Sequence, residues 1–184
     1  MFTAESFCAS YILSNTAIRL ASVMCRLFCR LFCHSNAGFL SKEWVTCVDY
    51  LSDGRVLSGA MDSNLCLWEK SYPRCVELHA HKSSISALTV DSQDFAITAS
   101  YDCSMCVWDF GEKDVKLEPV LSLRGHTKAV LAFCWRNSLV VSAGRDGLVC
   151  LWDVNTGKQV AALKGHKKPV QCVEFFCNNA NGTD

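Results

Sequence analysis

From residue 44 onward, short apolar runs alternate with clusters of Asp, Gly, Ser and Asn, and the runs are too short for helices. Residues 44–51 predict a strand, Ser52-Asp53-Gly54 a turn, and residues 55–60, 65–68 and 75–79 three more strands, the last after a Pro-containing loop. The plan then repeats. Strands are expected over 84–90, 95–100, 105–110 and 120–123, and again over 129–135, 139–143, 148–154 and 159–163, with Asn155-Thr156-Gly157-Lys158 as a hairpin turn. A further copy starts at 169–176 and gives way to a polar tail. Strands this short, joined by tight turns, imply antiparallel sheet rather than alternating strand and helix. The best-formed stretch is 141–153, a hairpin closed at Asp146-Gly147.

The copies share landmarks at fixed offsets. Asp62, Asp102 and Asp146 occupy the turn between second and third strands; Ser58, Thr98 and Ser142 lie four residues before them, and Trp68, Trp108 and Trp152 six after. His81, His126 and His166 each precede a first strand, twice as Gly-His (Gly125-His126 and Gly165-His166). A period of about 40–45 residues with four strands per unit is the pattern of propeller blades. With Trp108-Asp109 and Trp152-Asp153 carrying the defining dipeptide and Trp68-Glu69 a conservative departure, the chain resembles the WD-repeat family over residues 44–176. The resemblance implies an all-β fold, a partial WD-repeat β-propeller of about three four-stranded antiparallel blades, at 44–79, 84–124 and 129–164, with the start of a fourth at 169–176.

The resemblance also gives the repeated residues a structural role. A buried Trp needs a partner for its indole N–H. The adjacent Ser or Thr can accept it and donate onward to His, whose other nitrogen can donate to the turn Asp. The expected chains are His81, Thr98, Asp102 and Trp108 in one blade, and His126, Ser142, Asp146 and Trp152 in the next. The first blade holds Ser58, Asp62 and Trp68, but Ser41 stands where its His is due. Ser, His and Asp also invite a hydrolase reading. A hydrolase needs one exposed nucleophile and an oxyanion hole, whereas this set recurs per repeat, its Ser lies mid-strand, and no nucleophile-elbow motif surrounds it. No catalysis and no cofactor are therefore expected.

Residues 1–41 differ from the rest and are read as a non-repeat extension of helical character, the propeller occupying 42–184. Within 17–33, Arg19, Arg26 and Arg30 share one helical face, and their charge argues against a spanning helix. A basic amphipathic segment of this kind suits a membrane surface or a mitochondrial presequence, so membrane contact, if any, is assigned here. Cys25, Cys29, Cys33 and His34 lack the spacing of a structural zinc site.

Composition narrows the compartment and the partners. Thirteen cysteines suggest a disulfide framework, but the count is odd and several sit inside apolar runs, where Cys acts as a small core residue. An intracellular, reducing compartment, cytoplasmic or nuclear, fits better. Lys+Arg equals Asp+Glu at 18 each, which leaves no long-range field for nucleic acid. The expected function is a non-enzymatic scaffold for protein–protein interaction, as part of a larger propeller, with a membrane-surface or mitochondrial adaptor as the alternative. Three blades cannot close a ring of the usual size, so self-association through open blade edges is a further expectation. Partners of this family commonly sit across one end of the propeller, which makes Trp44, Met61, Tyr101 and Arg145 the candidate contact residues. Trp, Tyr and Arg are the types enriched in binding hot spots. Lys82, Lys128, Lys167 and Lys168 give the same rim a positive cast.

Overall fold

The computed structural model describes residues 43–69, 75–111 and 118–176. They form three four-stranded antiparallel sheets and, among the described residues, no helix. The first sheet is β1 (Val45–Tyr50), β2 (Val56–Ala60), β3 (Leu65–Trp68) and β4 (Cys75–Leu78). The second is β5 (Ile85–Val90), β6 (Phe95–Ser100), β7 (Ser104–Asp109) and β8 (Leu121–Arg124). The third is β9 (Val130–Arg136), β10 (Leu139–Gly144), β11 (Leu148–Asp153) and β12 (Lys158–Lys164). Within each sheet, neighbours in space are neighbours in sequence. β1 packs on β5 and β5 on β9, so the first strand of each sheet is its inner edge. The sheets stand side by side as blades.

Two apolar clusters hold the blades together. Leu57, Leu65, Leu78, Ile85, Trp108 and Phe110 pack between the first and second sheets. Ile97, Met105, Leu123, Val130, Val140 and Trp152 pack between the second and third. Burying one such side chain contributes about 1.5–3 kcal/mol, so each interface is a small hydrophobic core in its own right. The middle blade is covered on both faces, which is why β7 is buried over Ser104–Trp108 without alternation. In the third sheet only Cys150 and Trp152 of β11 are buried, while Val149 and Leu151 stay half-buried. Val160 and Leu163 of β12 are largely exposed.

The structure moves several boundaries. β7 begins at Ser104, one residue earlier than the apolar run suggests, because the Asp102 carboxylate accepts the Ser104 N–H at 2.9 Å and aligns it for pairing. Phe110 leaves the strand and donates its N–H to the Asp94 carbonyl at 3.0 Å. Lys158 pairs with Asp153, so β12 starts inside the expected hairpin turn. Residues 169–176 form no strand. The segment runs along the third sheet with the Val170 N–H on the Gly144 carbonyl at 3.2 Å, and no second strand among the described residues pairs with it. The helical extension expected before residue 42, with its basic face at 17–33, lies outside the described residues.

Candidate functional site

In the middle blade the turn between β6 and β7 and the loop before β5 meet at one end of the sheet. His81 Nε2 lies 2.8 Å from Thr98 Oγ1, and Trp108 Nε1 donates to the same oxygen at 3.0 Å. His81 Nδ1 lies 3.1 Å from Asp102 Oδ2. The Thr98 oxygen accepts from the indole, so its own proton goes to Nε2, and Nδ1 carries the hydrogen donated to Asp102. Neutral imidazole satisfies every member, and burial, the largest influence, holds His81 below its ordinary pKa. Asp102 is crowded with donors. Burial works to raise its carboxyl, but the Ser104 hydroxyl, the Lys82 and Ser104 N–H groups and His81 outweigh it and hold the group below its ordinary value.

The third blade repeats this geometry. His126 Nε2 is 2.7 Å from Ser142 Oγ, Trp152 Nε1 donates to Ser142 Oγ at 2.8 Å, and His126 Nδ1 is 3.0 Å from Asp146 Oδ2. Burial again works against the Asp146 carboxyl, and again the N–H groups of Leu148 and Thr127 and the His126 contact prevail, leaving it lowered. The first blade keeps only the Trp68 indole on Ser58 Oγ, at 2.8 Å, and Asp62 accepts the Asn64 N–H at 3.1 Å. His166, the next histidine of the series, is exposed. A Ser or Thr hydroxyl that is fully buried and already bonded on both sides offers no attacking oxygen to a substrate. Among the described residues no cluster of His, Cys, Asp and Glu is arranged to hold a metal ion, and no helix is long and apolar enough to cross a membrane.

The contact candidates fall at equivalent places. Met61, Tyr101 and Arg145 donate their N–H groups to the carbonyls of Trp44, Ser84 and Ala129, at 2.9, 2.9 and 2.7 Å. All three side chains are exposed, and so is Trp44, at 77%. Met61 and Tyr101 share the mouth of a cavity of about 270 Å³ with Thr46, Ser84, Ser86, Leu131 and Gln171. Trp44 and Arg145 are outside that lining.

Several functional side chains escape a reading of the repeats. Ser104 donates to Asp102 Oδ1 at 2.6 Å and joins the middle blade's chain. Thr46 and Ser86 each reach from one inner strand to the next, donating to the carbonyls of Ile85 at 2.6 Å and Val130 at 2.7 Å. They occupy the same register, two residues past Trp44 and Ser84, so an alignment of copies marks them, but Leu131 at the third place breaks the series. At the opposite end the first two blades are tied further. Asp49 accepts the Val90 N–H at 2.8 Å, Asp94 accepts both the N–H and the hydroxyl of Ser52 at 2.6 Å, and Arg55 donates to the Phe110 carbonyl at 2.8 Å. These aspartates have no matched-offset copy and so leave no trace in the repeat pattern.

The chain is 29% identical over 133 residues to the DENN domain and WD repeat-containing protein SCD1 of Arabidopsis thaliana, an alignment covering 71% of this chain and 11% of that protein. It is 31% identical over 98 residues to the F-box/WD repeat-containing protein sel-10 of Caenorhabditis elegans, covering 53% of this chain and 16% of that one. It is 25% identical over 170 residues to the p21-activated protein kinase-interacting protein 1-like of Danio rerio, covering 72% and 46%. The chain thus spans less than half the length of each of these relatives. The crystal structure of the computationally designed Ika4 protein superposes with a TM-score of 0.65 at 25% identity, over 77% of this chain and 86% of that one. The family model described as WD domain, G-beta repeat matches residues 30–69, 73–109 and 117–153. The first match reaches back into the segment set apart above, and the later two each join the outer strand of one sheet to the three inner strands of the next. With three matched repeats over more than half of its length, the chain belongs to the WD40 repeat family.

Proposed function

We propose that this chain is a non-enzymatic scaffold, part of a larger propeller, that holds a protein partner against the end of the blades bearing Met61 and Tyr101. One observation carries the reading: the side chains that look reactive are consumed in buried hydrogen-bond chains, while Trp44, Met61, Tyr101 and Arg145 stand exposed at the end that carries the cavity. Relatives that include a kinase-interacting protein and an F-box/WD repeat-containing protein support protein binding. The one-sided burial of β11, set against the two-sided burial of β7, supports a further blade packing on the third sheet. An intracellular setting accords with free thiols buried as core residues.

A photo-crosslinking amino acid placed at Tyr101, and in a separate protein at Tyr50 on the opposite end, tests this in cells. The expected result is a defined set of proteins captured from position 101 and absent from position 50. Identical capture from both positions sinks the reading, as does a hydrolytic activity lost in a folded Ser142→Ala protein.

A further inference from the structure

Basic and acidic side chains number 18 each, so the chain has no net charge. The topology nevertheless sorts them. Because every strand runs antiparallel to the next, the turns after β2, β6 and β10 share one end of the molecule with the loops entering β5 and β9. The turns after β1, β5 and β9 share the other end with the connections between third and fourth strands. At the first end Lys82, Lys128, Arg145, Lys167 and Lys168 are exposed. The carboxylates there are mostly occupied. Asp102 and Asp146 accept from histidine and backbone N–H groups, Asp62 accepts from Asn64, and Glu43 is the exposed carboxylate at this end among the described residues. Among the described residues the second end carries Asp49, Asp53, Asp91, Asp94, Asp109 and Asp153, against Arg55, Arg136 and Lys158.

The positive end is also the one with apolar purchase. Met61 and Tyr101, 47% and 45% exposed, line the cavity with the half-buried Leu131. The hydroxyls of Thr46 and Ser86 at this wall are already donated to carbonyls of the neighbouring strand.

We propose that the end bearing Met61 and Tyr101 docks an acidic peptide segment, with an apolar side chain in the cavity and carboxylates on Lys82, Lys128 and Arg145. The proposal rests on the scaffold reading above and names the chemistry of its partner. A long polyanion such as RNA fits less well. Its attraction builds over distances at which the chain's equal numbers of acidic and basic side chains cancel, whereas a few peptide carboxylates need only contacts within a Debye length of about 8–10 Å. The cavity wall offers Tyr101 alone as a surface for stacking bases.

Fluorescence anisotropy with the full chain tests this, using a short labelled peptide of alternating Glu and Leu, its Gln/Leu and Lys/Leu counterparts, and an oligouridine of equal length. The Glu/Leu peptide should bind about tenfold more tightly than Gln/Leu at low salt, and the advantage should shrink as salt rises. Joint Lys82→Glu and Arg145→Glu substitution should abolish that advantage, whereas Lys158→Glu, at the opposite end, should keep it; matching thermal melts show that all the variants fold. Equal binding of all three peptides, or preference for oligouridine, overturns the acidic-peptide proposal and leaves the scaffold reading standing. No peptide binding together with no rim-specific crosslinks overturns both.

Discussion

The indole N–H of Trp152 and the hydroxyl of Ser142 meet at 2.8 Å, and both residues are almost completely buried. The same hydroxyl serves His126, so one oxygen terminates two buried polar groups. Ser142→Ala leaves the indole and the imidazole unpaired, each at about 1–3 kcal/mol. In the first blade Ser58→Ala removes the partner of Trp68, and among the described residues no histidine bonds that serine. Urea denaturation should therefore show a loss of about 2–5 kcal/mol for Ser142→Ala and roughly half of that for Ser58→Ala. Equal losses would mean that the histidine takes no part in the chain.

Acid should destabilise the blades in two stages. Burial first holds His81 below its ordinary value of 6.5, so the unfolded chain binds a proton before the native one does. Its contribution is present above pH 6.5 and drains away as the pH falls toward the native value. Asp102 and Asp146, held below 3.8 by hydrogen bonds that outweigh burial, contribute above 3.8 and lose their part as the pH falls below it. Asp49 has the opposite sign, since burial raises it above 3.8 and its ionisation costs stability as the pH rises. Calorimetric melts should show Tm falling from about pH 6.5 downward. His81→Gln should flatten the upper stage, and the lower stage should persist through Asp146 and through the Ser104 and Lys82 donors that remain on Asp102.

The repeat unit was legible because it rests on offsets along the chain. Four residues from Ser142 to Asp146 and six more to Trp152 are fixed by one hairpin, and a copied hairpin copies its spacing. Strand ends were less legible, because they depend on single carboxylates such as Asp102 taking the Ser104 N–H rather than on apolar content. The ties between blades were illegible for a further reason. Asp94 meets Ser52 across 42 residues of chain and only in one of the two blade junctions. The charge separation was hidden by the balanced sum, which says nothing about which turn each charge occupies.

The thiols divide by depth. Burial pushes Cys106 up to about 11 and also raises Cys150, while Cys66 is raised by its hydrogen bond with Cys75 and by burial. Cys172 is exposed. Because the thiolate is the nucleophile and must be reached by the reagent, iodoacetamide at neutral pH followed by peptide mapping should label Cys172 well before Cys106 and Cys150, which stay unmodified until denaturant is added. Early labelling of Cys106 would show that the middle blade opens on its own.

The two Gly-His pairs look alike in sequence and should respond differently to the same change. A Cβ on Gly125 would lie 2.6 Å from Gln159 Oε1 and 2.8 Å from a ring carbon of Trp152. The glutamine is exposed and can swing away, but the indole is pinned by Ser142 and enclosed by the core between the second and third blades. Relief must come from backbone movement in the loop that carries His126, which would lengthen the His126–Ser142 contact as well. Gly125→Ala should cost about 1–3 kcal/mol, the usual range for forcing a methyl group into packed surroundings. A Cβ on Gly165 meets nothing within 4 Å. Gly165→Ala should stay within about 0.5 kcal/mol of the parent protein, as for a surface change away from packed features. Paired urea titrations measure the difference directly, and a large loss for Gly165→Ala would show that a further blade covers that loop in solution.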